Sequence, residues 1–307
     1  MKILLINVVY NKGSTGNIVK SLYEAYKDEG HDPYVIFGRG KNNFNDSKIE
    51  KHTFEFESKL HHFVSSVFGN MYGGMFFSTR RIIRAIKKIK PDCVNLHCLN
   101  GYFVNIYKLL NFLQKNNYKT LLTMHADFMM TGGCGYSVDC QNYLTCMCKN
   151  CKRVKEFNSR FSFNRTHFYF NKMKNSISKF KKNNLKITCV SPWLAKRYSE
   201  SSIYKNFDVC SIENPVDDIF FKANNLNLIE DKYFLYVTPN FYDKEKNGIE
   251  IEKIAGLLPN YKFIVVSTKK VDYAPLNSNI QIISGGVDKE TLVKYYRNAI
   301  ALVVFYA

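Results

Sequence analysis

Apolar positions along the chain alternate between a strand period and a helix period. Residues 2–9 form a continuous apolar run, the pattern of a parallel strand covered on both faces. A turn follows, Asn11-Lys12-Gly13-Ser14-Thr15-Gly16, with Ser14 or Thr15 expected as the helix N-cap. Ile18, Val19, Leu22 and Ala25 then line one helix face, Gly30 closes that helix, and Tyr34-Val35-Ile36-Phe37 reads as the next strand. After a polar loop at 38–47 and an aromatic-rich helical stretch, strands are expected at 93–97, 120–124, 187–190 and 207–212. Helices are expected at 103–115, at 166–180 and from Pro192, a favoured first-turn residue. Glu213-Asn214-Pro215-Val216-Asp217-Asp218 reads as a linker, and the alternation restarts beyond it. Strands at 233–237, 261–266 and 280–283, helices at 247–257 and 288–297, and a buried strand at 299–305 complete the pattern. Two such runs imply an α/β protein of two Rossmann-like, doubly wound parallel-sheet domains, 1–215 and 216–307, facing a cleft. Ligands of such sheets bind beyond the carboxyl ends of the strands.

The length of 307 residues fits two domains, and 46% hydrophobic residues exclude wholesale disorder. No period of about 20–50 residues recurs, which excludes a repeat architecture. No run reaches the ~18 apolar residues of a spanning helix, and the N-terminus lacks the long apolar core of a signal peptide. A cytoplasmic protein is expected. Charge sharpens this: 44 Lys and Arg against 26 Asp and Glu give a formal net charge of +18. Twelve of the basic residues lie between 149 and 186, facing one acid, Glu156. A second cluster, Arg80, Arg81, Arg84, Lys87, Lys88 and Lys90, is interleaved with Ile82, Ile83, Ile86 and Ile89, a basic amphipathic helix. Such surfaces suit polyanions, or are simply solvated helix faces. No nucleic-acid-binding motif accompanies them, so nucleic acid is not an expected partner.

Four groups of residues have chemistry to offer. Gly13-Ser14-Thr15-Gly16 joins the first strand to the first helix, where a glycine turn and free helix N–H groups suit a pyrophosphate. The turn is neither a Walker A loop nor G-x-G-x-x-G. His97 and His125 fall at the carboxyl ends of successive strands. Five cysteines lie between 134 and 151, where Cys134, Cys140, Cys148 and Cys151 would supply four thiolates for a structural zinc; free buried thiols or an iron–sulfur cluster are the other readings. Lys244 and Lys246 precede a second-domain helix, as phosphate ligands or as a solvated turn.

Taken in order, several stretches resemble the retaining glycosyltransferases of family 4. They are Asn7 to Gly16, Phe37-Gly38-Arg39-Gly40, Leu96-His97-Cys98-Leu99-Asn100-Gly101-Tyr102, Thr123-Met124-His125-Ala126-Asp127, Thr131-Gly132-Gly133-Cys134-Gly135-Tyr136, Val190-Ser191-Pro192-Trp193-Leu194-Ala195 and Asn214-Pro215-Val216-Asp217. The likeness spans essentially the whole chain and is greatest to the branch that builds bacterial capsule, O-antigen and exopolysaccharide. It implies a GT-B fold and transfer of a sugar from a nucleotide-diphosphate donor to a glycan or lipid-linked saccharide at the inner face of the membrane. It implies no cofactor for catalysis. By the resemblance Gly13, Ser14, Thr15 and Gly16 meet donor diphosphate and acceptor, and His125 contacts the donor sugar. In this chain Ala126 separates His125 from Asp127, and Asn240 stands where the family's phosphate-binding Arg is expected, with Lys246 at the following Lys and Lys244 beside it. The family's E-x7-E segment, beyond the strand at 299–305, is not among these residues. The second domain is therefore expected to be incomplete, and the alternative expectation is a catalytically impaired subunit that binds sugar nucleotide or acceptor.

Overall fold

Every strand pairs parallel with its neighbours, in two sheets. The computed structural model describes residues 1–137, 140–157, 163–222, 232–241 and 248–305. Contacts divide the chain into two units, Met1–Pro215 and Val216–Ala307. The first unit contains β1 (Lys2–Asn7), α1 (Gly13–Asp28), β2 (Asp32–Phe37), β3 (Ile49–Lys51), α2 (Glu55–Phe68), α3 (Phe76–Ile89), β4 (Cys93–Leu96), α4 (Ile106–Lys115) and β5 (Lys119–Met124). It continues with α5 (Asn142–Thr145), α6 (Val154–Phe157), α7 (Thr166–Ile177), β6 (Leu185–Cys189), α8 (Pro192–Glu200) and β7 (Val209–Ser211).

The strand order is β3-β2-β1-β4-β5-β6-β7. Chain direction across the sheet reverses between β1 and β4, and that switch point opens a crevice at their carboxyl ends. The continuous apolar run of β1 has a direct cause. Leu4 and Ile6 enter the large core under α3, α4 and α7, while Leu5 joins Val35 and Phe37 against Val19 and Tyr23 of α1 on the other face. A strand buried on both faces has no polar side to show. Further along the sheet the α1 side turns polar: Thr123 donates to Asn95 (2.9 Å) and Thr188 to Thr123 (3.1 Å), a ladder across β4, β5 and β6.

The second unit contains α9 (Ile219–Lys222), β8 (Tyr233–Thr238), α10 (Glu250–Leu257), β9 (Lys262–Ser267), β10 (Ile280–Ser284), α11 (Lys289–Asn298) and β11 (Ala299–Leu302), with sheet order β10-β9-β8-β11. Phe263 and Val265 pack against Ile251 and Ala255 of α10, while Leu235 and Ile264 pack towards Leu292 and Tyr295 on α11. The buried carboxylate of Glu252 accepts from the amides of Leu276 (3.1 Å) and Asn277 (3.3 Å), fixing the loop before β10.

Three sequence expectations need correcting. β3 is an added edge strand just beyond the loop at 38–47, where only a helical stretch was expected, because Ile49 is its one apolar inward residue. The final strand is shorter than 299–305 and is not buried: it is the sheet edge, with Ile300, Ala301 and Leu302 exposed. Neither Ser14 nor Thr15 caps α1, since the helix starts at Gly13 and Lys12 takes the cap position with no side-chain cap bond.

Candidate functional site

The crevice at the switch point is built first by Asn7. This fully buried side chain ends β1, accepts from the amide of Cys98 (3.0 Å) and donates to the carbonyl of Val9 (2.7 Å). It thereby ties the exit of β1 to the exit of β4. The chain then folds back so that the Asn11 amide donates to the Gly16 carbonyl (3.0 Å). Gly13 takes φ +64°, and a Cβ on Gly16 would lie 3.1 Å from Val9 Cγ2 and 3.3 Å from the Asn11 nitrogen. Both glycines are needed for the turn itself. Ser14 is exposed and Thr15 half-buried, and no side chain caps the first turn of α1.

His97 directly follows β4 and His125 directly follows β5. The structure brings them together, with His97 Nδ1 3.1 Å from His125 Nε2 and the rings tilted by 30°. Burial disfavours the imidazolium in both. His97 is pushed down to about 3, with His125 beside it adding to the effect, and His125 to about 4. Both rings are therefore neutral at pH 7, one donating to the other. The Nε2 of His97 is buried without a protein partner, beside a cavity of about 100 Å³ lined also by Asn95, Thr123 and Thr188. With Nε2 engaged, Nδ1 is the ring nitrogen that His125 has left to offer.

A larger basic pocket, of about 610 Å³, lies where β1 and β2 end. Lys12, Arg39, Lys41 and Lys51 line it against one acid, Glu55. Glu55 accepts from Lys51 (2.6 Å) and pairs with Arg39 (3.2 Å), which lowers its carboxyl below the usual range despite partial burial. Arg39 and Lys51 were not singled out as site residues from the sequence. The available signal was Arg39 between two glycines after a strand, whereas Lys51 belongs to the unforeseen β3.

Asp127 has a different task. It is buried and accepts on one oxygen from the Ser137 amide (2.9 Å), the Ser137 hydroxyl (2.7 Å) and Arg197 of α8 (3.0 Å). The Arg197 guanidinium lies near the rings of Trp193 (4.7 Å) and Tyr143 (5.2 Å). Asp127 thus fastens the start of the Cys-rich insert to α8. Within that insert the Cys134 thiol donates to the Tyr136 carbonyl (3.1 Å), and Cys148 sulfur accepts from the Gly132 amide (3.3 Å). Among the described residues no three His, Cys, Asp or Glu side chains gather as metal ligands. The four cysteines of the expected tetrad, Cys134, Cys140, Cys148 and Cys151, lie within electrostatic reach of one another: burial pushes the Cys148 thiol up to about 12, and Cys151, Cys140 and Cys134 add to that rise.

In the second unit Asn240 follows β8, the amino-acid backbone there being held by the Thr238 hydroxyl, which donates to the Asn240 carbonyl (3.1 Å). Lys244 and Lys246 lie outside the described residues.

Solved structures place this architecture. A glycosyltransferase from Rickettsia africae ESF-5 aligns with a TM-score of 0.56 at 14% identity, over 99% of this chain and 72% of that one. The catalytic domain of starch synthase IV from Arabidopsis thaliana, bound to ADP and acarbose, aligns with a TM-score of 0.55 at 12% identity, over 99% and 77%. An alpha-glucosyltransferase in complex with UDP and a 13-mer DNA aligns with a TM-score of 0.51 at 10% identity, over 97% and 71%. The two parallel sheets are those of the GT-B fold. No family model and no curated protein matches the chain by sequence.

Proposed function

We propose that this chain is a retaining glycosyltransferase of family 4 type, moving a sugar from a nucleotide diphosphate to a lipid-linked saccharide in surface polysaccharide synthesis. The observation that carries this reading is the neutral His97–His125 pair at the ends of β4 and β5, on the same sheet edge as the β1–α1 turn. A neutral imidazole suits hydroxyl groups: His125 would hold the donor sugar through Nδ1 without drawing the diphosphate out of place. The uncapped N–H groups at Gly13, Ser14 and Thr15 would meet acceptor and diphosphate, and Asn240, Lys244 and Lys246 would serve the nucleotide side in the second unit. In the step itself the anomeric C–O bond to the diphosphate breaks, and the acceptor oxygen bonds to that carbon on the same face. The acceptor's proton passes to the leaving phosphate oxygen. No protein nucleophile is assigned.

The pocket of Lys12, Arg39, Lys41 and Lys51 supports an acceptor bearing an anionic group, as the phosphate of a lipid-linked saccharide would. The test is release of nucleoside diphosphate from a panel of nucleotide sugars, with and without lipid-phosphate-linked acceptors. The expected result is acceptor-dependent release that falls at least about a hundredfold in His125→Ala, the scale of losing one transition-state contact. Nucleotide binding with no release from any sugar would instead mark a binding subunit.

A further inference from the structure

α2 is an amphipathic helix turned the wrong way for a free globular surface. Its polar and small residues Glu57, Ser58 and Ser65 are buried, whereas Phe56, Leu60 and Phe63, at steps of four and three, are 65%, 52% and 64% exposed. Phe54, Phe68, Phe76 and Phe77 are exposed around it, and Phe68 stacks on exposed Phe163 (6.5 Å). A cluster of this size on one face marks an interaction surface.

The cations of α3 border it directly. Arg80 lies over the Phe76 ring (4.1 Å) and Arg81 over Phe54 (4.7 Å), whose ring is 6.5 Å from Phe56. Arg81 also lines a second cavity, of about 620 Å³, together with Arg84, Lys88, Lys2 and Lys48. His52 borders the same cavity, nine-tenths buried, with no partner for Nδ1. That cavity sits under α3 at the β2–β3 edge, apart from the strand ends that carry the histidines. The acids at hand are engaged: Glu55 with Arg39 and Lys51, Glu57 with the start of α3, Glu50 with His52 and Asp32 with Lys48.

We propose that this surface docks on an anionic lipid bilayer, with Phe56, Leu60 and Phe63 entering the headgroup–acyl boundary and the Arg81–Arg84–Lys88 cavity seating a lipid phosphate. Charge selects the occupant. A second copy would bring another +18 against this face, and a nucleic acid would leave the aromatic stripe in water. An anionic bilayer answers both halves, apolar depth beneath a phosphate layer. No helix among the described residues is long and apolar enough to cross a membrane, so the contact is with one leaflet. The proposal gives a place to the membrane location in the functional reading, yet stands on separate residues.

The experiment is vesicle flotation at about 150 mM salt with pure phosphatidylcholine or with about 30 mol% phosphatidylglycerol, an ionic strength at which surface charges still act over about 8 Å. The wild-type chain is expected to float with the anionic vesicles only. The triple variant Phe56→Ser, Leu60→Ser, Phe63→Ser should bind at least about tenfold more weakly, and Arg84→Gln with Lys88→Gln should both weaken binding and flatten its salt dependence. All five side chains project from helix surfaces, and an unchanged thermal midpoint checks that the variants fold. Undiminished flotation of the triple variant overturns the proposal, as does a lipid-free dimer that the triple variant dissolves. Nucleotide binding is measured on the same preparations: flotation without it removes the transferase reading alone, and nucleotide binding without flotation removes the surface alone.

Discussion

At the scale of single residues, the histidine pair makes a pH prediction whose direction is fixed. In the unfolded chain both imidazoles take up protons near pH 6.5. In the folded chain they resist until about pH 4 for His125 and about 3 for His97, and burial pushes His52 down as well. Stability from this source is therefore complete above about pH 6.5 and declines as pH falls towards 4, by about 1.4 kcal/mol per pH unit for each proton the folded state refuses. Urea midpoints at pH 7 and pH 5 should differ more in the wild type than in His97→Gln. A second prediction concerns Asp127 and Arg197, both largely buried. Asp127→Asn leaves the guanidinium charge in place without its counter-charge, and should cost about 3–5 kcal/mol. Asp127→Asn with Arg197→Met should cost less than the sum of the single changes in a urea double-mutant cycle. The pair also shows where sequence reading stops. Asp127 was visible at a strand end, but its partner lies 70 positions away on α8, and nothing local announces that distance closed. His97 and His125 were legible as a pair because each directly follows a strand, and strand period fixes where such residues fall.

At the scale of elements, α3 begins on Phe76 and Phe77 after Met75, with no side chain of its own sequence as a cap. The cap comes from α2: Glu57 accepts from the amides of Phe77 (2.8 Å) and Ser78 (2.9 Å) and from the Ser78 hydroxyl. Removing it in Glu57→Ala strands the buried Ser78 N–H and the part-buried Phe77 N–H, and should destabilise the first unit by about 1–3 kcal/mol, read by urea unfolding. Glu57→Gln should recover part of this, since an amide oxygen accepts without the charge that favours a helix N-terminus. The helix was legible in its Ile82 and Ile86 repeat, but its start was not, because the capping group belongs to another element. The same limit explains the inverted face of α2. The sequence shows only an aromatic-rich helical stretch there, and the packing buries Glu57, Ser58 and Ser65 instead of the aromatic side.

At the scale of the whole molecule, two parallel sheets in the order 3-2-1-4 from their own first strands set two switch points, one after β1 and one after β8. Parallel topology was readable because strands covered on both faces show as unbroken apolar runs, as in β1 and β9. The edges were less so: β3 has one apolar residue, since an edge strand need not be apolar throughout, and β11 is apolar yet lies exposed at an edge. The central claim is that this fold serves a nucleotide sugar, and its most direct measurement is a thermal-shift panel of nucleoside diphosphates and nucleotide sugars. A ligand at about one hundred times its Kd adds about 2.7 kcal/mol to the folded state, which raises the midpoint by roughly 5–10 °C. Such a rise is expected for one base in preference to the others, with the matching nucleotide sugar at least as effective. A midpoint unmoved by every nucleoside diphosphate and every nucleotide sugar would contradict it.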